Sequence, residues 1–412
     1  MRVAINAWFW NSPTTGSGQY LRHLVPWLSE IMPDQEIRPD PEIAPDPEIV
    51  LIAPRSREPR ADEVDHGPQS GVLNLPGIRS HSIADFRPLP HNLGKVWFEQ
   101  IAFPRACDEL AVDVAHVPYW APPFHPTVPT VVTIHDLIPL LLPEYRGRAS
   151  VRLYTALVSR TAHRADLVLT DSEAARRDIV THLGLPGEDV RAIHLAADER
   201  FSAEPTGEDA AVRERYGLPE RYVLYLGGFD VRKDVETLLR AWQQAGPAIS
   251  TRYPLVIAGR LPERDTVFAP DPRRQARELR LETATVHFTG FIDEADKGAL
   301  YRSALAFVFP SRYEGFGLPP LEALACGTPV ICCRSTSLPE VVGESGFLVE
   351  PGDADAAASA VAQTLIELAT NTELRANMAR RAVEQAARFS WRQTAEQTLA
   401  AYRDVLAGAV TG

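Results

Sequence analysis

The chain has 412 residues, of which 45% are hydrophobic, and its 42 basic side chains against 54 acidic ones give a formal net charge of -12. This length exceeds one ordinary hydrophobic core, so we expect two domains of roughly 150 to 200 residues each. A surface of this sign repels phosphate backbones and anionic lipid at long range, which argues against nucleic acid as a partner and against wholesale adsorption to a membrane.

The amino terminus, "MRVAINAWFW", enters a predicted strand without the apolar core of a signal peptide, and no apolar run is long enough to span a bilayer. We therefore expect a soluble, cytoplasmic protein. The four cysteines show neither CxxC nor Cys/His ligand spacing, which favours reduced thiols in the cores. They are Cys107, Cys326, Cys332 and Cys333.

Short apolar runs alternate with longer helical patterns along the whole chain. The runs are residues 2–9, 48–54, 112–118, 130–136, 167–172 and 190–196 in the first half, and 222–228, 254–259, 286–291, 305–310, 329–333 and 346–351 in the second. This alternation predicts an α/β protein with two Rossmann-like, doubly wound parallel sheets, each covered by helices on both faces. Because ligands of such folds bind at the carboxyl ends of the strands, the domains are expected to face a central cleft.

The composition also predicts the domain boundaries. Residues 1–200 are expected to form the N-terminal domain and residues 221–390 the C-terminal domain. The polar stretch 201–220 is interpreted as a linker with a short helix. Residues 391–412 form a predicted last helix that can pack back on the N-terminal domain.

Two proline-rich segments interrupt this organisation. Residues 33–50 contain a near-duplicated "PDPEI", and further prolines lie in residues 54–90. Proline at this density is incompatible with a continuous helix or a central strand. Both segments are interpreted as surface loops of the first domain, either mobile connections or loops that line the cleft.

Two motifs of the first half carry candidate site residues. "NSPTTGSGQYLRHL" places Gly16 and Gly18 before a helix, but Leu21 occupies the third position of the dinucleotide fingerprint, which lowers the case for a nicotinamide cofactor. "TVVTIHDLIP" ends a predicted strand with His135 and Asp136. At that place a histidine either contacts a ligand or is a satisfied core residue, and Asp136 is expected to orient local backbone.

Residues 145–164 are basic and contain no acid; their arginines are Arg146, Arg148, Arg152, Arg160 and Arg164. Apolar residues recur on one predicted helical face, at Val151, Tyr154, Val158 and Ala162. The pattern favours a core-packed helix with a charged outer face. The alternative is a local basic surface for an anionic acceptor or a membrane-linked lipid carrier, with weak peripheral contact at the inner face of a membrane.

Basic residues precede a helix in "LYLGGFDVRKDVETLL", at Arg232 and Lys233. Cations are unfavourable beside a helix N-terminus unless an anion comes between, so this pair indicates an anionic ligand such as a diphosphate. The alternative is a solvated helix start.

A second motif, "SRYEGFGLPPLEALACGTPVI", brackets a turn with Glu314 and Glu322. The helix is expected to begin near Pro319, with Glu322 in its first turn. The preceding amides would then form an anion site; they belong to Gly315, Phe316, Gly317 and Leu318. Glu322 could accept hydrogen bonds from a ribose diol and Glu314 from hydroxyls of a second sugar; alternatively, they are an ordinary helix-start charge and a solvated loop residue.

An apparent DxD motif lies at Asp353 and Asp355, at a predicted helix start. Capping of that helix explains it better than metal binding, and we expect no required metal.

The stretch "EGFGLPPLEALACGTPVI" resembles the E-x7-E signature of the retaining GT-B glycosyltransferases of glycosyltransferase family 4. The resemblance covers most of the second domain and touches the first in "TGSGQYLRHL", "TIHDL" and "LTDSEAARRDI". It implies a GT-B fold and a retaining transferase that needs no cofactor. The donor would be a nucleoside diphosphate sugar, GDP-mannose or a UDP-sugar, and the acceptor a hydroxyl of a glycan or lipid-linked molecule.

The resemblance also assigns roles to residues. Lys233 and Arg232 match the basic pair that grips the donor phosphates, although Gly228 stands where an arginine is common. His135 matches the histidine beside the donor sugar, and Gly16 and Gly18 bring main chain close to the sugar and phosphates. The base would be held by the backbone of Phe291 and Ile292 in "FTGFID".

Two alternatives from other classes remain open at this point. One is a nucleotide-sugar-binding protein of the same fold without transferase activity, and the other is a nicotinamide-dependent oxidoreductase. The set of His135, Lys233, Glu314 and Glu322 argues against the first, and the broken glycine fingerprint argues against the second.

Overall fold

The structure is a computed structural model that describes residues 1–12, 15–35, 48–54, 77–83, 91–147, 149–282 and 285–411. The chain divides into two compact units, residues 1–195 with 391–412, and residues 196–390. Each unit is built on one parallel sheet, which confirms the predicted α/β class with two doubly wound domains. In the part of the chain that the structure describes, no helix is long and apolar enough to cross a membrane.

The first unit has a seven-stranded parallel sheet in the order β3-β2-β1-β4-β5-β6-β7. Its strands are β1 Arg2–Asn6, β2 Glu48–Pro54, β3 Ile78–Ile83, β4 Val114–Val117, β5 Thr130–Thr133, β6 Leu167–Thr170 and β7 Val190–Ala192. Its helices are α1 Gly16–Gln35, α2 His91–Trp97, α3 Phe103–Glu109, α4 Ile138–Leu141, α5 Ala149–Thr161, α6 Glu173–Leu183 and, at the end of the chain, α15 Trp391–Thr411. The central strands are buried on both faces, as their unbroken apolar runs predict.

The second unit has a six-stranded parallel sheet in the order β10-β9-β8-β11-β12-β13. Its strands are β8 Tyr222–Leu226, β9 Leu255–Ala258, β10 Val286–Gly290, β11 Ala304–Phe309, β12 Val330–Cys333 and β13 Gly346–Val349. Its helices are α7 Asp209–Arg215, α8 Val235–Ile249, α9 Pro272–Glu278, α10 Lys297–Ser303, α11 Leu318–Ala325, α12 Leu338–Val342, α13 Ala354–Thr370 and α14 Thr372–Ala386. The largest side chain of its core is Trp242 on α8.

The strand order reverses between β8 and β11 in the second sheet, and between β1 and β4 in the first. At such a switch point the connections leave adjacent strands in opposite directions and open a crevice at the carboxyl ends. In the second unit, the loops at this point are residues 227–234 and 310–317. They contain Lys233 and Glu314.

The segment 201–220, predicted as a linker, belongs to the second unit. Its helix α7 is fixed by Arg302 of α10, which donates to both carboxylate oxygens of Asp209 at 2.9 and 2.6 Å. Hydrogen bonds from Arg302 lower the pKa of Asp209 to about 2. A paired, partly buried carboxylate anchors this stretch to the domain, so the linker interpretation is corrected.

The proline-rich segments are only partly described. Residues 36–47, 55–76 and 84–90 lie outside the described residues. The remainder is more regular than predicted, because α1 continues to Gln35 and β3 at Ile78–Ile83 forms the edge of the first sheet. The prediction that residues 54–90 are loop throughout is therefore wrong at β3, whose polar sequence pairs with β2.

The basic stretch also differs from the prediction. Helix α5 ends at Thr161, and Val158 and Ala162 are buried as expected. Val151 is 42% exposed, so its assignment to the buried face is wrong. Leu153 is 74% exposed beside it.

Helix α15 packs within the first unit. The Trp391 ring stacks on His23 of α1 at 4.9 Å, and the Tyr402 hydroxyl lies 2.7 Å from Nδ1 of His116 on β4. The four cysteines are free and buried, as expected.

Candidate functional site

The switch point of the second sheet holds a compact cluster of charge. Val231–Lys233 forms a short 3-10 turn after β8, and Glu314 follows β11. The Lys233 Nζ lies 2.6 Å from Glu314 Oε1, and an Arg232 guanidinium nitrogen lies 2.7 Å from the same oxygen. Ser311 Oγ donates to that oxygen at 2.6 Å. The two cations and the acid predicted from separate motifs are thus brought together.

This cluster is mostly buried but not sealed. The exposed fraction of the side chain is 12% for Arg232, 13% for Lys233 and 14% for Glu314. Burial acts to raise the pKa of Glu314, but the charges of Lys233 and Arg232 outweigh it and hold the pKa below its ordinary value. Glu314 is therefore ionised at neutral pH.

Each member of the cluster is held by further contacts. Arg232 donates to the Tyr313 carbonyl at 2.6 Å, and the Lys233 ammonium lies 4.8 Å from the centre of the Phe309 ring. The Glu314 amide donates to Thr336 Oγ1 at 3.0 Å. Arg232 thus reaches the same acid as Lys233, although Gly228 stands where the family commonly has an arginine.

The turn between Glu314 and α11 is more buried than predicted. Gly315, Phe316 and Gly317 are buried, and Leu318 is half-buried. Ser337 Oγ donates to the Phe316 carbonyl at 2.5 Å, which fixes the turn. Gly317 has φ +122°, and a Cβ there would lie 2.9 Å from Leu338, so this position requires glycine.

Helix α11 begins at Leu318, close to the predicted Pro319. Glu322 is consequently its fifth residue and lies in the second turn, not the first as predicted. Glu322 is buried and accepts a hydrogen bond of 2.9 Å from the Tyr301 hydroxyl of α10. Burial raises its pKa, and nearby Lys297 opposes the rise. Tyr301 therefore fixes the orientation of this carboxylate.

Two residues with left-handed backbone lie beside the cluster. Asp234, directly after Lys233, has φ 49°, and Thr336, which contacts Glu314, has φ 46°. Such conformations are unfavourable for residues with a side chain and concentrate at functional sites.

The residues expected at the base follow β10. Ile292 is buried, whereas Phe291 is 48% exposed. The Arg260 guanidinium lies 5.4 Å from the centre of the Phe291 ring. An exposed aromatic ring offers a stacking surface in addition to the backbone contacts that the sequence suggested.

Asp353 caps α13, as expected, by accepting from the amides of Asp355 and Ala356 at 2.9 and 3.1 Å. The described residues contain no group of three His, Cys, Asp or Glu side chains that could hold a metal ion.

In the first unit, His135 lies just after β5. Its Nδ1 is 2.8 Å from Oδ2 of Asp171, at the end of the neighbouring strand β6, and its Nε2 is 3.2 Å from the Pro118 carbonyl. Burial acts to lower the pKa of His135, but the charge of Asp171 and the hydrogen bond to it outweigh burial and raise the pKa. The Asp136 carboxylate accepts from the Ile138 amide at 2.9 Å, which confirms its role in local backbone.

The two glycines of α1 have different environments. A Cβ on Gly18 would lie 2.1 Å from the Ser12 carbonyl oxygen, so the preceding loop itself requires glycine there. A Cβ on Gly16 would meet no atom within 4 Å. Internal packing thus explains why residue 18 is glycine without any ligand, whereas the space beside Gly16 would admit a side chain.

Sequence reasoning missed several residues of these clusters. Ser311 and Tyr301 in the second unit, and Asp171 in the first, each bind a predicted site residue. Asp171 follows β6 in "LTDS", and β6 is adjacent to β5, the strand that precedes His135. This position at the carboxyl end of a strand could have identified Asp171 as a candidate partner of His135.

Comparison with known protein families and structures places this architecture. The family model described as "Glycosyltransferase Family 4" matches residues 46–201, and that described as "Glycosyl transferases group 1" matches residues 210–385. The O-antigen chain mannosyltransferase B of Escherichia coli is 34% identical over 274 residues, which are 66% of this chain and 70% of the relative.

Solved structures share the fold over nearly the whole chain. Sucrose-phosphate synthase from Thermosynechococcus elongatus superposes with a TM-score of 0.70 at 22% identity, covering 99% of this chain and 100% of that one. Anabaena Alr3699/HepE in complex with UDP superposes with a TM-score of 0.65 at 18% identity, covering 98% and 99%.

Two doubly wound parallel-sheet domains, shared with these glycosyltransferase structures, are the GT-B architecture. The chain belongs to the GT-B glycosyltransferases of the family-4 type. This assignment replaces the nicotinamide-dependent alternative.

Proposed function

We propose that the protein is a retaining hexosyltransferase that moves a hexose, with mannose favoured, from a nucleoside diphosphate sugar to a hydroxyl of a glycan or lipid-linked acceptor. The observation that carries this proposal is the cluster of Lys233, Arg232 and Glu314 at the switch point. It concentrates positive charge where a diphosphate would reach the N-terminus of α11.

The name of the E. coli relative, an O-antigen chain mannosyltransferase, supports mannose and a role in polysaccharide or glycolipid synthesis. GDP-mannose is the donor we favour on this basis. A UDP-sugar is the second candidate, because the Anabaena structure contains UDP. The nucleotide-sugar-binding protein without transferase activity is the alternative that the experiment below excludes or supports.

We assign the residues as follows. Lys233 and Arg232 hold the donor diphosphate together with the main chain of residues 315–318, and Glu314 receives hydroxyls of the sugar. Glu322, oriented by Tyr301, receives the ribose diol, and the residues after β10, Phe291 and Ile292, hold the base.

In the reaction, the bond between the anomeric carbon and the diphosphate oxygen breaks, and a bond to the acceptor oxygen forms on the same face of the sugar. The departing diphosphate takes the acceptor proton. Negative charge grows on the diphosphate as the bond breaks, and Lys233 and Arg232 stabilise it. Because the cluster is mostly buried, access of water to the donor is restricted, which limits hydrolysis.

His135 is assigned to the donor sugar through the resemblance of "TIHDL" to the family. Both of its ring nitrogens already have partners, Asp171 and the Pro118 carbonyl. We therefore propose that His135 acts on the donor sugar through its positive charge and not through a hydrogen bond from a ring nitrogen. Gly16 remains assigned to main-chain approach near the sugar and phosphates, whereas the Ser12 carbonyl alone accounts for the glycine at Gly18.

The proposal is tested with GDP-mannose and several UDP-sugars by measuring release of nucleoside diphosphate and the anomeric configuration of the product. Lys233→Ala should lower kcat by about 10²- to 10³-fold, since loss of one such donor costs roughly 2.7 to 4 kcal/mol. Arg240→Ala, which removes an exposed arginine paired with Glu236, is the control. Near-normal turnover of Lys233→Ala, or an inverted product, contradicts the assignment.

We also propose a weak contact of residues 145–164 with anionic lipid. Arg146, Arg152, Arg160 and Arg164 are exposed, and Leu153 is exposed among them, whereas Arg148 lies outside the described residues. Basic residues around an apolar side chain favour such a surface. Cosedimentation with phosphatidylglycerol vesicles should exceed that with phosphatidylcholine vesicles and should fall for Arg152→Glu; equal binding to both lipids contradicts it.

A further inference from the structure

Three donors of the described residues meet on one oxygen of the Glu314 carboxylate. Lys233, Arg232 and Ser311 each lie within 2.6 to 2.7 Å of Oε1. This carboxylate therefore already pairs with both of the cations that the proposed function assigns to the donor diphosphate, and its one negative charge offsets part of their two positive charges. When a diphosphate binds to these two cations, their electrostatic attraction is shared between the diphosphate and Glu314.

The surroundings limit how far Glu314 can withdraw. Its amide donates to Thr336 Oγ1, and its own carbonyl lies 2.9 Å from Ser337 Oγ. Ser311, the third donor to its carboxylate, is fully buried. When an anion takes the cations, the carboxylate thus stays beside them and needs new hydrogen-bond donors, because an ionised, largely buried carboxylate without partners is unfavourable.

We infer that Glu314 is a specificity-determining residue that makes the site prefer a nucleotide sugar over the bare nucleoside diphosphate. The inference rests on the proposed function. The hydroxyls of a transferable sugar can replace the cations as partners of Glu314, whereas a bare diphosphate has none to offer. The bare diphosphate also carries about one more negative charge near neutral pH, which Glu314 repels.

A preference for the nucleotide sugar over the bare diphosphate would help a transferase to release its product. The product of each turnover is the bare diphosphate, and a site built only of cations would hold it more tightly than the donor. Glu314 competes for those cations as soon as the sugar has left. The acid thereby favours release of product and entry of the next donor.

The test compares binding of UDP with UDP-glucose, and of GDP with GDP-mannose, by calorimetry without acceptor. Glu314→Gln keeps the shape and the hydrogen-bond acceptor but removes the charge. It should bind the bare diphosphate about tenfold tighter than the wild type, while the nucleotide sugar gains much less, so the preference collapses. The gain should shrink as salt is raised.

Three further variants fix the cause. Glu314→Asp retains the charge and should stay near the wild type. Glu282→Gln makes the same charge change at an exposed residue before β10 and should have no effect. In Lys233→Ala/Glu314→Gln the tightening should be smaller than in Glu314→Gln alone, because only Arg232 remains of the two cations. If Glu314→Gln does not fold, Glu314→Ala should change the preference in the same direction.

The outcomes separate this inference from the proposed function. If Lys233→Ala abolishes nucleotide binding but Glu314→Gln binds the bare diphosphate no tighter than the wild type, the inference is overturned and the donor site stands. If neither the wild type nor Glu314→Gln binds any of the four nucleotides, the proposed function fails and the inference fails with it.

Discussion

The imidazole of His135 bridges Asp171 and the Pro118 carbonyl, with its Nδ1 2.8 Å from Oδ2 of Asp171. Both partners are hydrogen-bond acceptors, an arrangement that favours the imidazolium form, in which both ring nitrogens donate. Asp171 is buried at the end of the strand adjacent to that of His135. The sequence left His135 open between a ligand contact and a satisfied core residue, and the geometry shows a charged pair within the first unit.

This pair predicts a pH dependence of stability. The folded-state pKa of His135 is raised above the unfolded value of about 6.5, so its stabilisation is full below that value and is lost as pH rises through the folded pKa. Asp171→Asn should remove the effect, and the difference in unfolding free energy between wild type and variant should shrink from pH 6 to alkaline pH, at most by roughly 1.4 kcal/mol per pH unit. NMR titration of the His135 ring checks the assignment; an unshifted pKa in the wild type contradicts it.

A second buried pair in the first unit predicts a structural role. Glu99 is fully buried, and its charge is matched by Lys95, whose ammonium also lies 2.7 Å from the Tyr154 hydroxyl and 4.8 Å from the centre of the Tyr119 ring. Lys95→Met should destabilise the fold by about 3 to 5 kcal/mol because it leaves a buried carboxylate unpaired.

Denaturant unfolding measures this loss. The double variant Lys95→Met/Glu99→Leu should recover much of it, since no unpaired charge remains. A single variant as stable as the wild type would contradict this prediction and would show that Glu99 is neutral in the fold.

The Tyr301 hydroxyl predicts an effect on the donor site. Tyr301→Phe removes the hydrogen bond that orients Glu322, so the KM for the nucleotide sugar should rise about five- to tenfold while kcat changes little. Tyr222→Phe is the matched control, because Tyr222 is equally buried in the same unit and donates to the Leu300 carbonyl at 2.9 Å. The KM of both variants is measured by steady-state kinetics. An equal rise of KM in the two variants would show that lost stability, and not the orientation of Glu322, is responsible.

Much of the fold follows from the sequence because parallel, fully buried strands give unbroken apolar runs; β8 and β11 are examples. Strand β3 was not predicted, since four of the six residues in "IRSHSI" are polar, as an edge strand allows. The helical position of Glu322 was displaced because α11 begins at Leu318.

The candidate site was predictable as a set of residues but not as a set of contacts. The strand order in the structure brings the loops with Lys233 and Glu314 to one switch point, and the sequence pattern had placed each residue after a strand. The direct pairing of Glu314 with both cations depends on side-chain distances and on Ser311, which no spacing reveals. The same holds for Tyr301 and Asp171, whose partners are distant in sequence.

The most direct measurement of the central claim is a crystal structure with a bound nucleoside diphosphate, obtained by soaking GDP or UDP. The account predicts diphosphate density beside Lys233 and Arg232 at the main chain of residues 315–318, with the ribose at Glu322. A diphosphate bound elsewhere in the chain, with Lys233 and Arg232 still paired only to Glu314, would contradict it.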